Sequence, residues 1–150
     1  MALTKAERDW LKNKYGGHCA YCGCVLPDKG WHADHIEPVF REIKWVRGKG
    51  AVATGNLRYE QRDDLANMNP ACRRCNLYKD RHSVEGLRRE ISQQIMRLRR
   101  DSRPFRLAED FGLVQATGNE VVFWFEKYNA EQERKAKSGA RTITRIPRPR

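Results

Sequence analysis

The chain has 150 residues, enough for one domain with a modest core and an appendage. Thirty Lys and Arg face nineteen Asp and Glu, a net charge of +11, and this favours a polyanionic partner because each neutralised phosphate releases condensed counterions. No apolar run approaches the roughly eighteen residues of a membrane span, and the charged N-terminus lacks the apolar stretch of a secretory signal, so the expectation is a cytoplasmic protein with no membrane contact.

Residues 3–15 read as a helix: Thr4 can cap it, Glu7 holds the capping-box position, and Gly16 and Gly17 stop it. Residues 18–26 read as a knuckle, with Cys19, Cys22 and Gly23 suited to a tight turn round a metal. Residues 31–40 read as a strand carrying His32, Asp34 and His35. Residues 41–66 contain Gly48, Gly50 and Gly55 and no sustained period, which predicts a long loop with short helices, functional or mobile. Residues 70–79 suit a turn followed by a helix.

Residues 83–100 give the clearest helix, with Val84, Leu87, Ile91, Ile95 and Leu98 at three- and four-residue spacing, arginines on the other faces and Ser83 as cap. The arginines Arg88, Arg89, Arg97, Arg99 and Arg100 suit a DNA backbone and a solvated face equally. A short helix over 105–111 and a strand over 121–125 follow. From Asn129 hydrophobicity collapses, and seven Lys or Arg against two Glu predict a basic tail without fixed structure when free. The organisation predicted is a core over 1–82, a helical and β extension over 83–128, and the tail over 129–150.

Five cysteines without a secretory signal point away from disulfides. Cys19 with Cys22, and Cys72 with Cys75, form two C-x-x-C pairs separated by 49 residues, the pattern of a four-thiolate structural zinc site. Redox pairs of the thioredoxin kind would each open a helix after a hydrophobic strand, and neither pair does. Four thiolates leave zinc no open position, so this ion is structural. Cys24 falls outside the spacing and reads as a small packed residue.

Between the pairs lie Asp34-His35-Ile36-x-Pro38, then Asn67 five residues before Cys72, then Cys72-x-x-Cys75-Asn76-x-x-Lys79. In this order the motifs resemble the HNH endonuclease family over roughly residues 15–80, as found in small phage and mobile-element proteins. The resemblance implies an α+β fold with a ββα-metal (His-Me finger) core, stapled by the four-cysteine zinc site and flanked by helices. It assigns His35 as general base, Asn67 as the residue orienting that base, and Asp34 and Asn76 as ligands of a catalytic divalent ion. The last letter of the family motif is usually His, and Asn76 departs from it. Oxygen donors favour Mg²⁺ or Mn²⁺ there.

Phosphodiester hydrolysis needs a base to deprotonate water and a cation for the leaving oxygen, which these residue types supply. Asp80, one helical turn beyond Asn76, is a candidate third or water-bridged ligand. His32 is a candidate for metal or substrate, although packing explains it as well, and Lys79 a candidate phosphate contact. Glu37, His18 and His82 read as solvated or structural. Each residue alone would read as an ordinary surface or turn feature; their joint spacing inside the cysteine pairs favours the enzyme. The expected activity is DNA cleavage, with RNA a second substrate in the same class. At family level a phage packaging terminase is a candidate partner. The rival is a non-catalytic zinc-stapled nucleic-acid-binding module.

Overall fold

A computed structural model describes residues 2–142, with side chains through Ser138. The chain is mixed α and β, with two small antiparallel sheets. Helix α1 (Lys5–Asn13) starts where Thr4 and Glu7 form the expected capping box. The knuckle follows, closed by the Cys19 N–H to Cys24 carbonyl bond (2.8 Å) and the Gly23 N–H to Cys19 carbonyl bond (3.0 Å).

Strand β1 (His32–His35) pairs antiparallel with β4 (Met68–Ala71), setting Asp34 opposite Asn69 and His35 opposite Met68. Helix α2 (Arg73–Lys79) leaves β4 directly, capped by the Cys72 sulfur, which accepts from the Cys75 N–H at 3.5 Å; against the sequence reading, the second cysteine pair does open a helix after a buried strand. The core is small: Leu11, Tyr21, Leu26, Trp31, Met68, Leu87 and Phe123 cluster between the knuckle, the β1–β4 sheet and helix α3 (Val84–Ser92).

Between β1 and β4 the sequence predicts a loop over 41–66, and the structure corrects it. Strands β2 (Phe40–Val46) and β3 (Gly50–Arg58) form a hairpin, followed by two short 3₁₀ turns. The hairpin turns through Gly48 and Gly50, both in the left-handed region. Its strands are largely exposed, so no residue alternation between core and solvent marks them in the sequence.

Beyond the β1–β4–α2 unit, the predicted helix over 83–100 is two helices, α3 (Val84–Ser92) and α4 (Gln94–Asp101), broken at Gln93. Ser83 caps α3 as expected, whereas α4 buries no residue, so the apolar stripe serves the core only as far as Ile91. Helix α5 (Arg103–Asp110) starts at the Ser102 cap, with proline in its first turn. Among the described residues no helix is long and apolar enough to cross a membrane.

The strand predicted over 121–125 is corrected too, because α6 (Trp124–Thr142) begins inside it. The Glu126 carboxylate accepts from the Phe123 N–H at 2.8 Å, and Arg88 holds that carboxylate at 2.6 Å, so a helix start is fixed where β propensity alone favours a strand. Residues 129–142, expected to lack fixed structure, lie within α6, where Ala, Glu, Gln and Lys are strong helix formers. The last eight residues of the expected tail, 143–150, lie outside the described residues.

The start of α6 is sewn to the knuckle. The Trp124 and Phe125 N–H groups bond to the Tyr21 and Ala20 carbonyls (3.1 and 2.9 Å), and the Trp124 ring stacks on His18. Gly23 has φ +75°, and a Cβ there would meet the Trp124 ring at 2.8 Å. Gly23→Ala therefore combines left-handed strain with a clash, and chemical denaturation should show a loss of roughly 1–3 kcal/mol.

Candidate functional site

The cysteines converge, in a grouping wider than their spacing suggests. The sulfurs of Cys19, Cys22, Cys24 and Cys72 all lie within 4.8 Å of one another, a cluster able to hold a metal such as zinc. Cys75 joins them by hydrogen bonding to Cys19 and Cys22. Cys24, read from spacing as a bystander, is thus part of the cluster: the Cys19–Cys24 backbone bond folds it back over the turn. The buried Cys19 thiol is lowered to about 4, first by the hydrogen bond from Cys75 and then, against its burial, by the N–H groups of Cys72, Cys22 and Tyr21. That environment favours a thiolate, the form that binds metal.

A second constellation sits where α2 ends against β1. Lys79, with 1% of its side chain exposed, reaches from the last turn of α2 to the Asp34 carboxylate, 3.2 Å from Oδ2 and 3.3 Å from Oδ1. It also donates to the His35 carbonyl at 2.5 Å. The Tyr21 hydroxyl donates to Asp34 Oδ2 as well. Burial pushes the Asp34 carboxyl up, opposed chiefly by the Lys79 charge and then by the Tyr21 hydrogen bond. Burial likewise pushes the Tyr21 phenol up, aided by the neighbouring Asp34 charge. Asn69, across the strand pair, accepts from Tyr15 at 3.1 Å and Lys14 at 3.3 Å, so the polar groups under the site are tied together.

His35 points away from that network. Its Nε2 lies 2.9 Å from Asp63 Oδ1, a carboxylate just after the first 3₁₀ turn. Because an ionised carboxylate only accepts, Nε2 is the donor in this pair. Among the described residues Nδ1 makes no hydrogen bond.

Asn67, expected to orient His35, makes no hydrogen bond to the ring. Its side chain accepts from the Glu37 N–H (3.0 Å) and donates to the Glu37 and Arg62 carbonyls (2.9 and 2.8 Å). It acts at one remove, fixing the backbone beside His35 and beside Asp63.

Asp34, His35, Asn76 and Asp80 line one open cleft of about 620 Å³, together with Arg41 and Arg81. Asp80 closes α2 with φ +45°, a strained position for a residue with a side chain. His32, a candidate for metal or substrate, lies outside this cleft and lines a neighbouring hollow with Asp63 and Trp31, and His35 borders both. Lys79, expected at a phosphate, is buried against Asp34. A hollow of about 1080 Å³ between α3 and α6 is larger than this cleft and holds none of these groups, so size does not locate the site.

Sequence reasoning missed Asp63, Tyr21, Cys24, Arg41 and Arg81. Only Cys24 left a signal, as a fifth cysteine two residues past a knuckle. Comparison of the chain with protein-family models, with curated proteins and with solved structures gave no match.

Removing Lys79 strands a buried carboxylate. Lys79→Ala should cost roughly 3–5 kcal/mol in urea denaturation, and adding Asp34→Asn should recover part of that loss.

Proposed function

We propose that this protein is a metal-dependent nuclease of the HNH kind, hydrolysing DNA phosphodiesters in the cleft between β1 and α2. The observation carrying this reading is the His35–Asp63 pair bordering the cleft that also holds Asp34, Asn76 and Asp80. The order β1, β4, α2 is also the order of a ββα unit.

In this reading His35 takes a proton from water through Nδ1, while Asp63 fixes the ring and stabilises the charge it gains. Asn67 keeps the two backbone segments in register. Arg41 and Arg81 hold the phosphate in the cleft. Asp34, Asn76 and Asp80 form an oxygen donor set suited to Mg²⁺ or Mn²⁺. Asp34 keeps acceptor capacity beyond its bonds to Tyr21 and Lys79. Such an ion, when bound, supplies charge stabilisation to the leaving oxygen. The Lys79 ammonium beside Asp34 opposes tight binding of a second cation, so the affinity is modest.

Zinc at the cysteine cluster holds the two halves of the unit together, with Cys19, Cys22, Cys72 and Cys75 as ligands. Cys75 is favoured over Cys24 because it contacts Cys19, the buried sulfur any ion here must reach. Elemental analysis should find zinc in stoichiometric amount, and Cys75→Ser should lose it while Cys24→Ser keeps it. The opposite pattern would move the fourth bond to Cys24.

Plasmid nicking tests the enzyme. With Mg²⁺ or Mn²⁺ the wild type should nick supercoiled DNA, and His35→Ala should cut at least about a hundredfold more slowly with fold and zinc intact. Asn67→Ala should fall between. Wild-type rates in His35→Ala would leave the zinc-stapled binding module as the better account.

A further inference from the structure

Most cations of the α3–α5 region have partners inside the chain. Arg88 meets Glu85 and Glu126, Arg97 meets Glu90, Arg99 meets Glu109, and Arg100 meets Asp101. The β2–β3 hairpin is different. Arg41, Lys44, Arg47, Lys49 and Arg58 stand against one carboxylate, Glu42. Among the described residues none of these five forms an ion pair or donates a side-chain hydrogen bond.

The hairpin is also sided. Ile43 pairs with Ala53 and Trp45 with Ala51, which puts all four on one face. Ile43 and Ala53, with Arg41, line the cleft at its inner end. Farther out the same face carries Trp45, 81% exposed, and Ile43 itself is 68% exposed. Large apolar groups held in water on a two-stranded ribbon, rimmed by unpaired cations and running into a cleft, describe a contact surface.

We propose that the β2–β3 ribbon is the arm by which this protein grips double-stranded DNA. It lies in the major groove with Ile43 and Trp45 towards the base edges and Arg47 and Lys49, at the turn, towards the phosphates. The role of the cleft is taken from the nuclease reading; the grip itself is independent of cutting. The B-form major groove, about 12 Å wide, admits a two-stranded ribbon, whereas the deep, narrow major groove of duplex RNA does not. Single strands are gripped by rows of stacking aromatics, and this face has one. A second copy of the chain is disfavoured, since pairing two ribbons would bring ten cations together against two carboxylates.

The test uses the full-length, zinc-loaded protein and a short fluorescent DNA duplex, without added divalent metal, by anisotropy at several salt concentrations. Arg47→Ala/Lys49→Ala should lower the slope of log affinity against log salt by about 1.8, near 0.9 for each phosphate no longer neutralised. Trp45→Ala should weaken duplex binding roughly tenfold and leave single-strand and RNA-duplex binding unchanged. Zinc content and circular dichroism, unaffected by changes on an exposed hairpin, exclude misfolding.

Unchanged duplex affinity and slope, or equal losses on single strands and RNA, would overturn the proposal. So would a wild-type dimer that Trp45→Ala converts to a monomer. Duplex binding through the ribbon without plasmid nicking would sink the nuclease reading and leave the ribbon standing. Nicking with unchanged duplex affinity in both variants would do the reverse.

Discussion

The Lys79 ammonium is buried behind two residues that line the cleft, shut off from water and shared between the Asp34 carboxylate and the His35 carbonyl. A charge in that position is tolerated only with its partners in place, so the end of α2 is held against one point of β1. Several placements follow from it. Asn76, one turn back on α2, is brought over the same cleft. Asp34 is held buried beneath Tyr21, and His35, next along the strand, turns to the other side and meets Asp63. The first part of α2 is fixed separately, by the cysteines at its cap. One short helix is therefore pinned at both ends, by sulfur at one and by charge at the other.

The sequence was most legible where a local rule dictates local structure. Thr4 and Glu7 define the start of α1, Ser83 defines the start of α3, and the paired cysteines mark the two segments that meet. The helix after Cys72 was legible for the same reason, and β1 in part: the strand read over 31–40 ends at His35, and Phe40 already belongs to β2. The hairpin at 40–58 was not, because strands exposed on both faces show no hydrophobic period. The start of α6 was hidden by a β-prone run whose conformation is decided by Glu126 and Arg88, an interaction spanning 38 residues of sequence. Asp63 was invisible for a similar reason: nothing in a loop carboxylate announces that a histidine 28 residues earlier will fold onto it.

The distribution of positive charge is more informative than its total. A net charge of +11 describes a basic protein without saying which surface uses it. Across α3 to α5 the arginines mostly tie helices to one another, and Arg88 does so from several sides, with Val121, Glu85, Glu126 and the Phe123 ring. These are structural cations despite their motif-like density. The hairpin, by contrast, carries five cations without an ion pair among the described residues, and its inner end borders the cleft that Asp34 and His35 line.

The hairpin is inserted between two residues that the sheet already holds side by side, since His35 and Met68 are register partners. Everything from 36 to 67 is an excursion whose two ends are fixed by neighbouring strands. The entropic cost of such an excursion grows slowly, by about 0.6 kcal/mol for each doubling of its length. Asn67 and Asp63, which serve the cleft, lie at its return end and outside the hairpin itself. Lengthening, shortening or exchanging residues 44–52 therefore leaves the strand pair, the His35–Asp63 contact and the cleft-lining Arg41, Ile43 and Ala53 in place. The outer part of the arm can be replaced as a cassette, while its base belongs to the cleft.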